Sequence, residues 1–267
     1  MKTNQTILTT LLISIAILTT TARAGLILNG NLESFTSGQP DSWTYFETPD
    51  RSLQTVESSM HVSPFTTVYP ASTRSALLTD TALSNLRPSM TQLFPVQTSL
   101  LNFSFDFFVS DDAFSAQPWS VSLENNRFGL PFGGDAALNF YIDFPGGGIF
   151  RAGGQNGDFA TPIVLGTWYH VHALVDIAQS EYVGSIQPFG GSPVSWSARD
   201  LYNFWAAGSE PTISRLWVRD AVGAGTNSDI HFDNFSLEAV PEPGTAFFGA
   251  VGLLGALARR RRNHRNG

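Results

Sequence analysis

Leu100-Leu101-Asn102-Phe103-Ser104-Phe105-Asp106-Phe107-Phe108-Val109 decides the fold class. Leu101, Phe103, Phe105, Phe107 and Val109 fall at every second position, with Asn102, Ser104 and Asp106 between them. Successive side chains of an extended strand point to opposite faces, so this run reads as a strand with one apolar and one polar side. Ala137 to Phe144 repeats the pattern, setting Leu138, Phe140, Ile142 and Phe144 against Asn139, Tyr141 and Asp143. Trp168 to Ile177 repeats it again, with Tyr169, Val171, Ala173, Val175 and Ile177 opposite Trp168, His170, His172 and Asp176. Shorter candidates are Leu26–Leu28, Trp43–Glu47, Ser120–Leu123, Tyr182–Ile186, Ile213–Val218 and Ile230–Leu237.

Glycine clusters at 129–134, 146–148, 153–157 and 190–191 separate these runs and read as hairpin turns. None opens a helix as a phosphate-binding loop does, which argues against nucleotide binding. Between the two termini no segment carries a helical period, apart from a turn or two at Leu201 to Ala207. Many short half-polar strands without helical crossovers predict an all-β fold, an antiparallel two-sheet sandwich.

The two ends have a different character. Lys2 precedes an apolar stretch, Ile7 to Leu18, and Ala22-Arg23-Ala24 supplies small residues around a cleavage point. That order predicts a signal peptide over 1–24, cut after Ala24. At the other end, Pro241-Glu242-Pro243 is followed by the apolar run Thr245 to Ala258 and then by Arg259, Arg260, Arg261 and Arg262. A helix of about 14 residues is roughly 21 Å long, short for an upright bilayer crossing. The arginines hold the C-terminus on the cytoplasmic side, so this short membrane helix leaves everything before Pro241 outside. The expected organisation is a β-sandwich over 25–239 and a sorting segment over 240–267.

The tail resembles the PEP-CTERM sorting signal of Gram-negative bacteria, in the order Pro241-Glu242-Pro243, apolar run, arginine cluster. The resemblance implies transient anchoring in the inner membrane, recognition by an exosortase-type transpeptidase and removal of the tail. Delivery to the cell surface or an exopolysaccharide matrix follows from it.

Within 25–239 about eight arginines and no lysine face some 21 acids, a formal charge of about −13 where the whole chain carries −7. Nucleic acid and anionic membrane both call for clustered cations, so neither is an expected partner. Divalent cations and neutral polymers remain compatible. With no cysteine, the core must be held by burial alone, for which 21 phenylalanines are available.

The opening Leu28-Asn29-Gly30-Asn31-Leu32-Glu33 with Pro40-Asp41-Ser42-Trp43, paired with the closing Ile230 to Leu237, is similar to the first and last strands of jelly-roll domains of the carbohydrate-binding-module and galactose-binding type. Thr167 to Val171 followed by Asp176 is similar to concanavalin- and laminin-G-like sandwiches. In the first of these families the matching acids, here Glu33 and Asp233, hold a structural calcium, so the resemblance implies such an ion.

Sugar recognition needs exposed aromatic faces. Of Trp43, Trp119, Trp168, Trp196, Trp205 and Trp217, the three in loop-like or strand-edge surroundings are Trp119, Trp196 and Trp205, and these are the expected polysaccharide platforms. His170, His172 and Asp176 share a strand face, which reads either as a solvated surface or as part of a metal site. No Gly-x-Ser-x-Gly elbow is present. Acids such as Asp106, Asp111, Asp112, Glu124, Asp135, Asp143 and Asp176 are numerous enough to contain a glycosidase pair but mark none. The sequence therefore points to an exported, non-catalytic surface or matrix protein that contacts polysaccharide. The alternative is a secreted jelly-roll glycoside hydrolase or polysaccharide lyase.

Overall fold

The computed structural model describes residues 25–46, 54–80, 88–110, 118–126, 136–143, 148–202, 212–220 and 228–240. Residues Gly25–Glu238 form one compact unit. The strands are β1 (Phe35–Thr36), β2 (Gln39–Pro40), β3 (Thr44–Phe46), β4 (Gln54–Ser59), β5 (Ser75–Asp80), β6 (Ser89–Gln97), β7 (Leu100–Val109) and β8 (Trp119–Glu124). They continue as β9 (Ala136–Asp143), β10 (Ile149–Gly153), β11 (Phe159–Pro162), β12 (Trp168–Asp176), β13 (Glu181–Pro188), β14 (Val194–Asp200), β15 (Ile213–Asp220) and β16 (Ser228–Ala239).

Two seven-stranded antiparallel sheets form a sandwich. Sheet I runs β11-β10-β9-β8-β15-β6-β3, sheet II runs β14-β13-β12-β7-β16-β5-β4, and β1-β2 is a small separate ribbon. Among the described residues there is no helix. The quoted stretch is β7, in the middle of sheet II, and its apolar face is the centre of the core. Phe105 is fully buried. It lies 5.7 Å from Phe140 of sheet I and within 5.6–6.3 Å of Phe103, Phe107, Phe232 and Phe235. Phe107 against Phe150, and Trp196 against Phe140, extend the same inter-sheet aromatic layer. Tilted ring pairs at these separations add to the burial term.

Gly184 shows how tightly the layer closes. A Cβ there would stand 2.2 Å from the His172 carbonyl oxygen and 2.4 Å from the Trp196 ring. Gly184→Ala is expected to lower stability by about 1–3 kcal/mol, the usual range for overpacking. Urea unfolding measures it, and an unchanged midpoint would refute this account of the packing.

The polar face of β7 departs from the sequence expectation, because it is buried as well. Asp106 is fully buried and Ser104 nearly so. The segment between β4 and β5 is tied over it. Ser63 donates from Oγ to Asp106 at 2.6 Å and from its amide to Asp233 at 3.1 Å. Asn234 Nδ2 reaches Asp106 at 2.8 Å, and Tyr69 donates to the Phe235 carbonyl at 3.0 Å. Phe232 and Phe235 both face the core, so side-chain parity shifts at Asp233–Asn234, where Asn234 takes a φ of 53°. Leu26–Leu28 is not a strand, yet the Leu26 amide donates to the Leu237 carbonyl at 2.7 Å.

Candidate functional site

β15 supplies the most unusual surface. Leu216 and Val218 point into the core, so alternation sends Arg215, Trp217 and Arg219 to the outward face of sheet I. Both guanidiniums stack on the indole, each carbon 3.8 Å from the Trp217 ring centroid. Glu124 of β8, opposite Arg215, lies 4.0 Å from Arg215 Nε and 3.6 Å from Arg219 Nη2, and it accepts from Ser122 Oγ at 2.8 Å. Arg215 also donates from Nε to Thr91 at 3.1 Å. Burial pulls the Arg215 guanidinium below its ordinary pKa, and Glu124 works against that shift.

Strand register carries this surface across the sheet. Trp217 stands opposite Ser122, Ser122 opposite Asn139, and Asn139 opposite Gly153. One rung along, Arg219 is followed by Ser120, Tyr141 and Arg151. The centre is deeply buried, with Glu124, Ser122 and Arg215 fully covered. Toward β10 exposure increases, and the Arg151 side chain is 41% exposed beside Asp143, whose carboxylate it meets at 2.7 Å. Burial raises the Asp143 carboxyl, against Arg151, which lowers it. Tyr202, Asp158 and Tyr141 converge over the bare backbone of Gly153. Burial, Tyr141 and Asp158 push the Tyr202 phenol up to about 12.

Trp217 Nε1 and Asn139 Oδ1 are buried without a hydrogen bond, in residues each 8% exposed. A buried polar group left unpaired is costly and needs an explanation. Their backbones are two strands apart, roughly 10 Å.

The sugar platforms expected from sequence are placed otherwise. Trp119 is 1% exposed, and Trp196 is 4% exposed among Phe140, Phe150, Phe159 and Tyr182. Neither offers a ring face to a ligand, because strand alternation turns both into the sandwich. Trp205 lies outside the described residues, as do Ala24, Pro241, Glu242, Pro243 and the arginines 259–262. The Arg-x-Trp-x-Arg alternation of β15 is visible in the sequence, but alternation alone does not show which strands flank it.

Glu33 and Asp233 are not brought to common partners. Glu33 accepts from the amides of Thr73 and Arg74 and from the Thr73 hydroxyl. Asp233 accepts from the amides of Ser63 and Asn234. Nothing in these contacts places a calcium between the two carboxylates. His170 bonds Asp106 and His172 bonds Asn102, each at 2.6 Å, while Asp176 caps the Gln179 amide. Among the described residues, no group of three or more His, Asp or Glu has metal-holding geometry.

The architecture is an antiparallel jelly-roll sandwich. The glycoside hydrolase family 131 catalytic domain from Coprinopsis cinerea matches with a TM-score of 0.51 at 13% identity, over 82% of this chain and 96% of that one. Peanut lectin gives 0.46 at 12% identity, over 75% and 98%. Lectin II from Ulex europaeus gives 0.45 at 13% identity, over 77% and 96%. Likeness at such identity speaks to fold alone.

The tail is more specific. Residues 239–262 match the PEP-CTERM protein-sorting motif. It marks a secreted protein sorted to the cell surface and implies processing by an exosortase. No curated protein sequence matches the chain.

Proposed function

We propose that this is a non-catalytic surface or matrix protein of a Gram-negative bacterium that binds extracellular polysaccharide through the outward face of sheet I. The observation that carries this reading is the union of a surface-sorting motif with a sheet face floored by Trp217, Asn139, Tyr141 and Arg219. Ordinary sandwich surfaces are solvated, whereas this one buries polar and aromatic groups and leaves hydrogen-bonding atoms unsatisfied. The tail holds the chain in the inner membrane until an exosortase-type transpeptidase releases it.

The hydrolase alternative needs two carboxylates about 5–10 Å apart. On this face Glu124 and Asp143 stand roughly 23 Å apart along β9, while Asp158 is near enough to help raise the Asp143 carboxyl, so Asp143 with Asp158 is the pair on which that alternative would rest.

Two measurements test it. Mass spectrometry of the native protein is expected to find a chain beginning at Gly25 and lacking Arg259–Arg262. Pull-down on the host's own exopolysaccharide is expected to retain the folded protein. Native material that keeps its arginines refutes the sorting part, and failure to bind any glycan refutes the binding part.

A further inference from the structure

We infer that the flank of the sandwich between β11 and β14 is a self-association surface, on which a second copy of this chain seats through an uncharged apolar groove. β11 is the last strand of sheet I and β14 the last strand of sheet II. The groove between them measures about 330 Å³, and its apolar lining comes from Pro162, Val164, Tyr169, Ile186, Pro188 and Val194. Val164 stands 68% exposed and is held in place, because its amide donates to the Tyr169 hydroxyl at 2.6 Å. Val194, the first residue of β14, is exposed as well. Apolar groups fixed in this way lose little freedom on contact.

Charge singles out the occupant. Residues 159–175 and 182–198 supply the whole lining and contain no Asp, Glu, Lys or Arg. Among the described residues nine large apolar side chains are exposed, and four of them, Val164, Val183, Phe189 and Val194, fall in these two stretches. Exposed apolar clusters of this kind mark contact sites on soluble proteins. A domain of formal charge about −13 repels its own copies over most of its surface, so two of them approach most easily at an uncharged flank. A cationic partner would favour the acidic remainder instead. The patch is also self-complementary. Its valine knobs and its groove lie side by side, so a two-fold axis lets each copy set Val164 into the groove of the other. On the glycan-binding reading a pair carries two sheet I faces and can bridge two polysaccharide strands, although the pairing itself does not depend on that reading.

The test is sedimentation velocity of the native protein from about 1 to about 300 µM, at low and high salt. A monomer–dimer equilibrium is expected, with a dissociation constant on the order of 10–100 µM for a contact of small area. High salt should tighten it about three- to tenfold, by screening the repulsion between like-charged copies. Val164→Glu drives a carboxylate of each copy into the groove of the other and should weaken pairing about tenfold or more. Val96→Glu, at an exposed valine of β6 five strands away in sheet I, should hardly change it. Urea unfolding confirms that the variants are folded. A chain that stays monomeric at the highest concentration in high salt overturns the inference, whether the flank then takes a foreign protein or a small apolar molecule. Pairing that survives both Val164→Glu and Val194→Glu also overturns it, since the contact then lies elsewhere. Equal weakening by Val96→Glu does the same, because general repulsion then explains the loss. None of these results touches the glycan-binding reading, which the pull-down decides.

Discussion

Phe105→Ala should lower the unfolding free energy by about 3–5 kcal/mol, the range for a large aromatic truncated in a packed core. The ring sits at the middle of β7 and touches aromatic neighbours in its own strand, in β16 and across the sandwich in β9. Its removal opens a cavity bounded by rings that are themselves pinned by further rings, so little collapse can refill it. With no disulfide in the chain, a loss of this size is a large part of the whole stability of a typical domain. Chemical denaturation measures it, and a cost under 1 kcal/mol would mean that the two sheets are not joined through this layer.

The second large effect is one of pH, and it comes from two buried groups of opposite sign on β16. Asp233 is fully buried, and its carboxyl is pushed up to about 7, first by burial and also by nearby Asp106. A raised carboxyl favours the fold fully below the unfolded value near 3.8, and that contribution is lost as pH rises through about 7. His231 is 8% exposed and is pulled down to about 4, by burial first and by His61, whose ring centroid is 5.0 Å away. A depressed imidazole contributes fully above 6.5, and its contribution is lost as pH falls through about 4. Between these limits the native state holds one more proton at Asp233 and one fewer at His231, so their slopes cancel. His231→Gln removes only the second. Relative to the parent, the variant should gain about 1.4 kcal/mol per pH unit on acidification from about 6.5 to about 4, on the order of 3 kcal/mol in total. Parallel pH–stability curves for parent and variant would show that His231 titrates as if exposed.

The strands were legible wherever period two met a single buried face. Leu100–Val109 is β7 to the residue, Trp168–Ile177 overruns β12 by one residue at its end, and Ala137–Phe144 is displaced from β9 by one residue at each end. The strands β4, β5, β10, β11 and β14 are not marked in the sequence because their runs are short or polar on both sides, as Gln54–Ser59 and Val194–Asp200 illustrate, whereas in the nine-residue β6 the apolar Met90, Leu93, Phe94 and Val96 fall at both parities. The candidate site was mostly illegible for a different reason. Alternation tells which residues share a face but not which strands become neighbours. Trp217, Ser122 and Asn139 meet only because β15, β8 and β9 are adjacent, a pairing that joins segments some 95 residues apart. Burial of the polar face of β7 was hidden likewise, since the chain that covers it lies some 40 residues upstream.

The position of the last strand has a mechanical consequence. β16 lies between β7 and β5, inside sheet II, and ends at Ala239, where the sorting motif begins. A tug arriving through a C-terminal attachment would therefore enter the middle of the sheet along the strand axis. It would have to slide β16 past two neighbours and break ladder bonds on both sides together, where a border strand would peel off one bond at a time. Under force applied at the processed C-terminus, such a load path favours holding over yielding.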